Sequence, residues 1–327
     1  MNLPIINHCP GTLATGYDTY SITCRRRMFK GRKVSHILPY YSPSTNELDD
    51  DLFHENQKRI SISGVQEKFS VILEKNKLRL TEEGERGEYI LKPIPVFGKN
   101  PVQMPANEHL TMQIARQVFQ IETVENVLIF FKDGSPAYLT KRFDVKENGE
   151  KWACEDFASL AGRTPQTHGE NYKYQGNYLE LFDLMKRYLP AYQLEAPKLF
   201  KLLIFNYLFA NGDAHFKNFS IIETSFGDFR LSPAYDLLNT RIHIDDSDFA
   251  LEDALLPGNM TKGKIGNQFH LLADKAGLLK SQRKEIFSLM LSNADKVIQL
   301  IDCSYLPDRF KRNYLQTYQQ RLKKLQA

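Results

Sequence analysis

Asp213 and Asn218 stand five residues apart in the stretch NGDAHFKN, directly after the apolar run APKLFKLLIFNYLFA. A carboxylate and an amide at that spacing can do phosphoryl-transfer chemistry. The carboxylate faces an attacking hydroxyl, while the amide oxygen faces Mg²⁺ on the other side of the transferred phosphate. A rigid helix followed by a short loop can present both. Lys217 adds a cation for phosphate charge, and His215 either acts as a base or braces the loop. A plain surface loop would also explain such a polar cluster, so the remaining parts of the chemistry must be sought elsewhere in the chain.

Transfer from ATP also needs a phosphate-holding lysine, a carboxylate to fix it, a cover for the phosphates and a second metal ligand. Lys92 in EYILKPI ends an apolar strand-like run. A strand lysine ordinarily faces water, so alone it says little. Glu108, in NEHL at the start of a helical pattern, is available to pair with it; acids also favour first helical turns for the helix dipole alone. The segment SISGVQEKFS places Gly64 and Val65 where backbone N–H groups could approach phosphate oxygens. It is neither GxGxxG nor a Walker A motif, and a turn entering a strand reads equally well. Asp236 in LSPAYDLLN follows a strand-like run in apolar company. A carboxylate there must be paired, metal-bound or hydrogen-bonded.

Separately these signals are weak; their order is not. Lysine, glutamate, base, amide and metal aspartate follow one another as in a protein kinase.

The elements that must carry them are legible. KFSVILE, KLRLTE and EYILKPI read as strands, and VLIFFKDGSPAYLTKRFD as a hairpin turning at Asp133-Gly134. NEHLTMQIARQVF has one apolar helical face, with Asn107 as its expected N-cap. SIIETSFGDFRLSPAYD reads as another hairpin. CEDFASLAG, NYLELFDLMKRYL and everything after SQRKEIF read as helix. The first 90 residues look strand-rich and irregular. The expected class is therefore α+β, a two-lobed protein-kinase-like fold with a strand-rich lobe over 1–150 and a helical lobe over 151–327.

The 327 residues carry a formal net charge of +4, 42% hydrophobic and 25% charged residues, which fits a globular chain and does not by itself call for nucleic acid. The basic clusters at Arg25–Arg27 and near the C-terminus read as solvated helix faces. No apolar run reaches the roughly 20 residues of a membrane span. No signal peptide is apparent. Four cysteines without CxxC spacing suggest free thiols and a cytoplasmic location.

ISISGVQEKFSVIL, YILKPI, ANEHL, YLTKRFD, NGDAHFKNFS, LSPAYDLLN and DFALEDALLPGNMTKGKI together resemble the HipA-like serine/threonine kinases, toxins of bacterial toxin–antitoxin modules. About 60 residues precede the Gly64 loop, so the chain resembles the short HipT type. That type separates a small HipS-like protein from the toxin, beside a DNA-binding HipB-like antitoxin. The resemblance implies ATP and Mg²⁺ as cofactors, with Lys92 on the phosphates and Lys141, Arg142 and Phe143 near the adenine. It further implies Asp213 as base, Asn218 and Asp236 on the metal, and autophosphorylation at Ser61 or Ser63. The implied target is an aminoacyl-tRNA synthetase, with DNA reached only through the antitoxin and no membrane. An aminoglycoside-kinase-like enzyme and a non-catalytic kinase-fold module remain as alternatives at this point.

Overall fold

A computed structural model of the chain describes residues 4–43, 67–96, 98–244, 247–258, 260 and 263–327. Ser61, Ser63, Gly64 and Val65 lie outside the described residues.

A short helix α1 (Ile22–Phe29) opens the regular structure. Ser21 caps it, accepting from the Cys24 amide, and Cys24, Met28 and Phe29 are buried. The expectation of a strand-rich, irregular first 90 residues contained no helix here. Three buried side chains hold a helix too polar to be recognised from its own apolar pattern.

The strands β1 (Phe69–Glu74), β2 (Lys77–Leu80), β3 (Tyr89–Lys92), β4 (Asn126–Phe130) and β5 (Pro136–Lys141) form one antiparallel sheet in the order β2-β1-β3-β5-β4. Side chains alternate across it with the strand period of two. Val71, Leu91, Ile129 and Leu139 enter one apolar cluster, together with α1. Leu128, Phe130 and Tyr138 point the other way, into a second cluster. There they meet α2 (Met104–Gln117), which packs on β4 and β5. The same period places Lys92 opposite Leu91, and it pairs in register with Tyr138. The lysine is therefore directed at α2 by the strand that carries it.

After β5, a second antiparallel sheet runs β6 (Cys154–Asp156), β7 (Ser220–Glu223) and β8 (Phe229–Leu231), in that order. The helical reading of CED is thus corrected: its backbone pairs with β7, and only from Phe157 does the chain turn helical, in the single turn α3 (Phe157–Leu160) capped by Asp156. A further turn α4 (Pro165–His168) precedes α5 (Leu179–Tyr188) and α6 (Tyr192–Leu208). Helices α7 (Ile265–Ala276), α8 (Lys280–Leu291), α9 (Ala294–Asp302) and α10 (Asp308–Gln326) complete the described chain. Helix α6 is the centre of the larger core, with Leu199, Phe200, Ile204, Phe205 and Leu208 fully enclosed. Among the described residues no helix is long and apolar enough to cross a membrane, and all four cysteines are free thiols.

Candidate active site

Lys92, Glu108 and Asp236 converge from three separate elements. The Lys92 ammonium lies 2.8 Å from Glu108 Oε1 and 2.5 Å from Asp236 Oδ1. Lys92 and Glu108 are only 4% and 3% exposed, whereas the Asp236 side chain keeps 31% of its surface. Burial would strip the charge from the lysine, but the two carboxylates outweigh it and hold its pKa above the ordinary value. Burial pushes Glu108 up against the opposing pull of Lys92, while at Asp236 the pull of Lys92, aided by Lys68, overcomes burial and leaves the carboxyl at about 2. Asp236 is thus an anion facing the opening, and Glu108 is the buried anchor. The Tyr138 ring lies 5.4 Å beneath the ammonium and adds its π-face.

Asn107 does not cap α2. The helix begins at Met104, three residues earlier, and Gln103 occupies the cap position. Asn107 is instead a strap: its Nδ2 donates to the Asn239 carbonyl at 2.8 Å, and its Oδ1 accepts from the Asn239 amide at 3.1 Å. His243 joins the same cluster at 2.9 Å from Asn107 Nδ2. A buried amide paired at both ends fixes α2 against the segment after Asp236, and so fixes Glu108 against Lys92.

The loop after α6 is held to that same segment. The helix ends at Leu208, and the reversal falls on Ala210, whose φ of 53° is left-handed, rather than on Asn211 or Gly212. A non-glycine residue accepts that conformation at a cost. Here Thr240 compensates: its amide donates to the Ala210 carbonyl, its hydroxyl to the same oxygen, and its Oγ1 accepts from the Gly212 amide at 3.0 Å. Asn211 Nδ2 reaches the Asp236 carbonyl at 3.5 Å. Asp236 is itself left-handed, with φ 54°.

Asp213 emerges from this strap with its side chain 45% exposed, its Oδ1 accepting from the Tyr174 hydroxyl at 2.8 Å. The Asn218 side-chain amide donates to the Asp213 backbone carbonyl at 3.0 Å. His215 is buried, packs edge-on against Tyr174 at 5.1 Å, and lies 3.8 Å from Asp213 Oδ1, too far for a hydrogen bond. Burial first, then Lys173, lowers its pKa to about 3. It is a neutral ring, unsuited to act as a base near neutral pH, and it braces the loop by packing. Lys217 is half-buried, and its backbone carbonyl accepts from the Tyr235 hydroxyl at 3.0 Å.

Lys141 closes β5, with its amide bonded to the Glu125 carbonyl. Arg142 is engaged by Asp144, and Phe143 stacks on Tyr235 with centroids 5.7 Å apart. The strand exit and the residue before Asp236 are therefore in contact. Tyr174, Thr240, Asn239 and Tyr138 escaped the sequence reading. Each acts through a long-range contact, and no local motif marks it.

The donor set fits a magnesium ion that takes most of its ligands from phosphate and water. Among the described residues no three His, Cys, Asp or Glu side chains gather into a metal cage. Asp236 and Asn218 carry hard oxygens of the kind that could hold Mg²⁺ beside phosphate and water.

Five histidines, His36, His109, His215, His243 and His270, have pKa values lowered by burial. His109 falls to about 4 and His215 to about 3. Between about pH 6.5 and 4 the unfolded chain binds protons that the folded chain refuses. Their contribution to stability is therefore fully present above about pH 6.5 and is lost as the pH falls through that window. Thermal unfolding from pH 8 to 4 should show the decline, less steeply in His109→Gln/His215→Gln. A midpoint independent of pH there would contradict it.

Comparison with known proteins agrees with this architecture. The HipA-like C-terminal domain family matches residues 60–298. A Haemophilus influenzae protein described as "Putative kinase" is 24% identical over 82% of this chain and 82% of its own length. The Sinorhizobium fredii "Putative kinase Y4dM" is 32% identical, over 60% of this chain and 48% of that protein; "Putative kinase Y4mE" is 28% identical, over 75% and 57%. The chain thus spans about half the length of these two. Among solved structures, HipA in the Shewanella oneidensis complex of HipA, HipB and operator DNA superposes with a TM-score of 0.62 at 18% identity, over 88% of this chain and 73% of that one. The Helicobacter pylori proinflammatory kinase CtkA gives 0.52 at 14% identity, over 78% and 92%. The fold is kinase-like, and the chain belongs to the HipA-like C-terminal domain family.

Proposed function

We propose that this chain is an ATP-dependent serine/threonine protein kinase. The observation that carries the reading is the buried Lys92–Glu108 pair tied to Asp236, with Asp213 and Asn218 strapped to the Asp236 segment. The sheet-bearing part, 1–150, covers ATP, and the helical part, 151–327, supplies the catalytic loop. Lys92 binds the α- and β-phosphates. Lys141 to Phe143 border the adenine, and Lys217 neutralises γ-phosphate charge. Asn218 and Asp236 would hold Mg²⁺, which would neutralise the phosphate oxygens. Asp213 orients the acceptor hydroxyl. As its oxygen bonds to the γ-phosphorus, the bond to the β–γ bridging oxygen breaks, ADP leaves with that electron pair, and the hydroxyl proton passes to Asp213.

Within that reading the chain is the toxin of the short HipT type, inhibiting growth by phosphorylating a translation protein of the aminoacyl-tRNA synthetase class. HipB-like and HipS-like proteins are its antitoxin partners, and DNA is reached through them. The family membership and the HipA likeness support this. Labelled ATP with a bacterial lysate tests the enzyme class: a labelled protein band is expected, whereas label confined to small molecules would make it a small-molecule phosphotransferase.

Two further outcomes are expected of this reading. Asp236→Asn keeps the fold and lowers Mg–ATP affinity at least about tenfold, about 1.4 kcal/mol; unchanged affinity by calorimetry removes Asp236 from the metal. Ser61 or Ser63 carries a phosphate in protein purified from cells, and neither does in Asp213→Ala protein. A phosphate brings about −1.5 to −2 charge into a loop meant for ATP phosphates, so it opposes nucleotide binding. An unmodified loop by mass spectrometry in active enzyme would count against it.

A further inference from the structure

Behind the Asp236 segment, on α6 and the end of α2, lies a cavity of about 150 Å³ bordered by Gln120, Glu122, Lys198, Lys201, Leu231 and Ala234. Its volume suits a small ion and excludes a nucleotide. Its charges do not balance internally. Glu122 is taken by Arg230 at 3.0 Å. Lys198 is taken by Glu195 at 2.6 Å. Lys201 donates to the Gln120 carbonyl at 2.7 Å, and among the described residues it forms no ion pair with a carboxylate. The two lysines stand one turn apart on the same face of α6, where like charges repel. Burial, then Lys198, lowers the Lys201 pKa, while the more distant Glu285 opposes.

The cavity is wired to the catalytic segment. Glu195 Oε2, on the carboxylate that holds Lys198, accepts from the Leu231 amide at 3.1 Å. Ala234, two residues before Asp236, bonds through its amide to the Glu122 carbonyl and through its carbonyl to the Val124 amide.

We propose that this cavity binds a phosphate-sized oxyanion between Lys201 and Lys198, and that the ion sets the position of the 231–236 segment from behind. An oxyanion gives Lys201 the ion-pair partner that the described residues do not supply. By linkage, whatever the ion does to the Asp236 segment, a ligand at Asp236 does to the ion's affinity.

The test is a titration of the full chain with inorganic phosphate at constant ionic strength, with sodium chloride as the matched arm, followed through the amide resonances of Leu231 and Ala234. Saturable shifts are expected with phosphate and not with chloride. Lys201→Gln, which keeps a donor for the Gln120 carbonyl, should weaken phosphate at least tenfold with an unchanged unfolding midpoint. Lys201→Arg should retain binding. Lys217→Ala, at a residue that does not border the cavity, should leave it unaltered. Equal shifts with chloride, undiminished binding in Lys201→Gln, or loss of binding in Lys217→Ala would each overturn the proposal. None of these readouts uses ATP, so their failure leaves the kinase reading standing.

Discussion

Asp213→Ala is expected to lose phosphoryl transfer by at least about 10²- to 10⁴-fold, the usual contribution of a positioned base. The structure makes this variant a clean one. Asp213 is nearly half exposed, so its removal leaves no buried void. Asn218 is held by the backbone carbonyl of residue 213, which alanine retains. The Ala210–Thr240 strap does not involve the deleted carboxylate. Mg–ATP affinity should therefore change little, because Lys92, Glu108 and Asp236 remain as they are. The loss should appear in the rate and not in nucleotide binding, since alignment of the nucleophile supplies most of the catalysis in this chemistry. In cells, expression of the wild type should arrest growth and the variant should not. Autophosphorylation by Asp213→Ala at near-normal rate would remove Asp213 from the role of base. His215 would be a poor replacement, because burial leaves its ring neutral and weakly basic.

Lys92→Met is expected to cost stability as well as ATP binding. The substitution leaves Glu108 buried with no cation, and breaking a buried pair from one side costs about 3–5 kcal/mol. Chemical unfolding should show a loss in that range, and the doubly substituted Lys92→Met/Glu108→Leu should recover most of it. Nucleotide affinity should not recover in the double variant, because the phosphate-binding cation is still missing. That split separates the two roles of one side chain. A loss below about 1 kcal/mol in Lys92→Met would mean that the pair is solvated, contrary to its burial.

The amino-acid sequence by itself determined the chain order of the candidate residues and the strands among the elements that carry them. The apolar runs YILK, VLIFF and AYLT were enough to find β3, β4 and β5, and Asp133-Gly134 was enough to turn the hairpin. These are local signals: alternation, turn residues and apolar runs act over a few residues and survive in isolation. The tertiary structure alone decided which polar residues are anchors. Asn107 reads as a helix cap because Asn favours caps, yet it is buried against Asn239 and His243, more than 130 residues away in the sequence. Cys154-Glu155-Asp156 reads as helix, yet it is a strand because β7 offers it an edge. Ala210 gives no sign of a left-handed turn, since alanine disfavours one; Thr240 makes that turn tolerable. Tyr174 carries no motif and reaches Asp213 only because the chain between α4 and α5 folds over the loop. At Asn107 and at Cys154–Asp156 a contact across the fold outweighs a local preference of about 1 kcal/mol or less, and at Ala210 the Thr240 hydrogen bonds offset a backbone cost of about 1–3 kcal/mol.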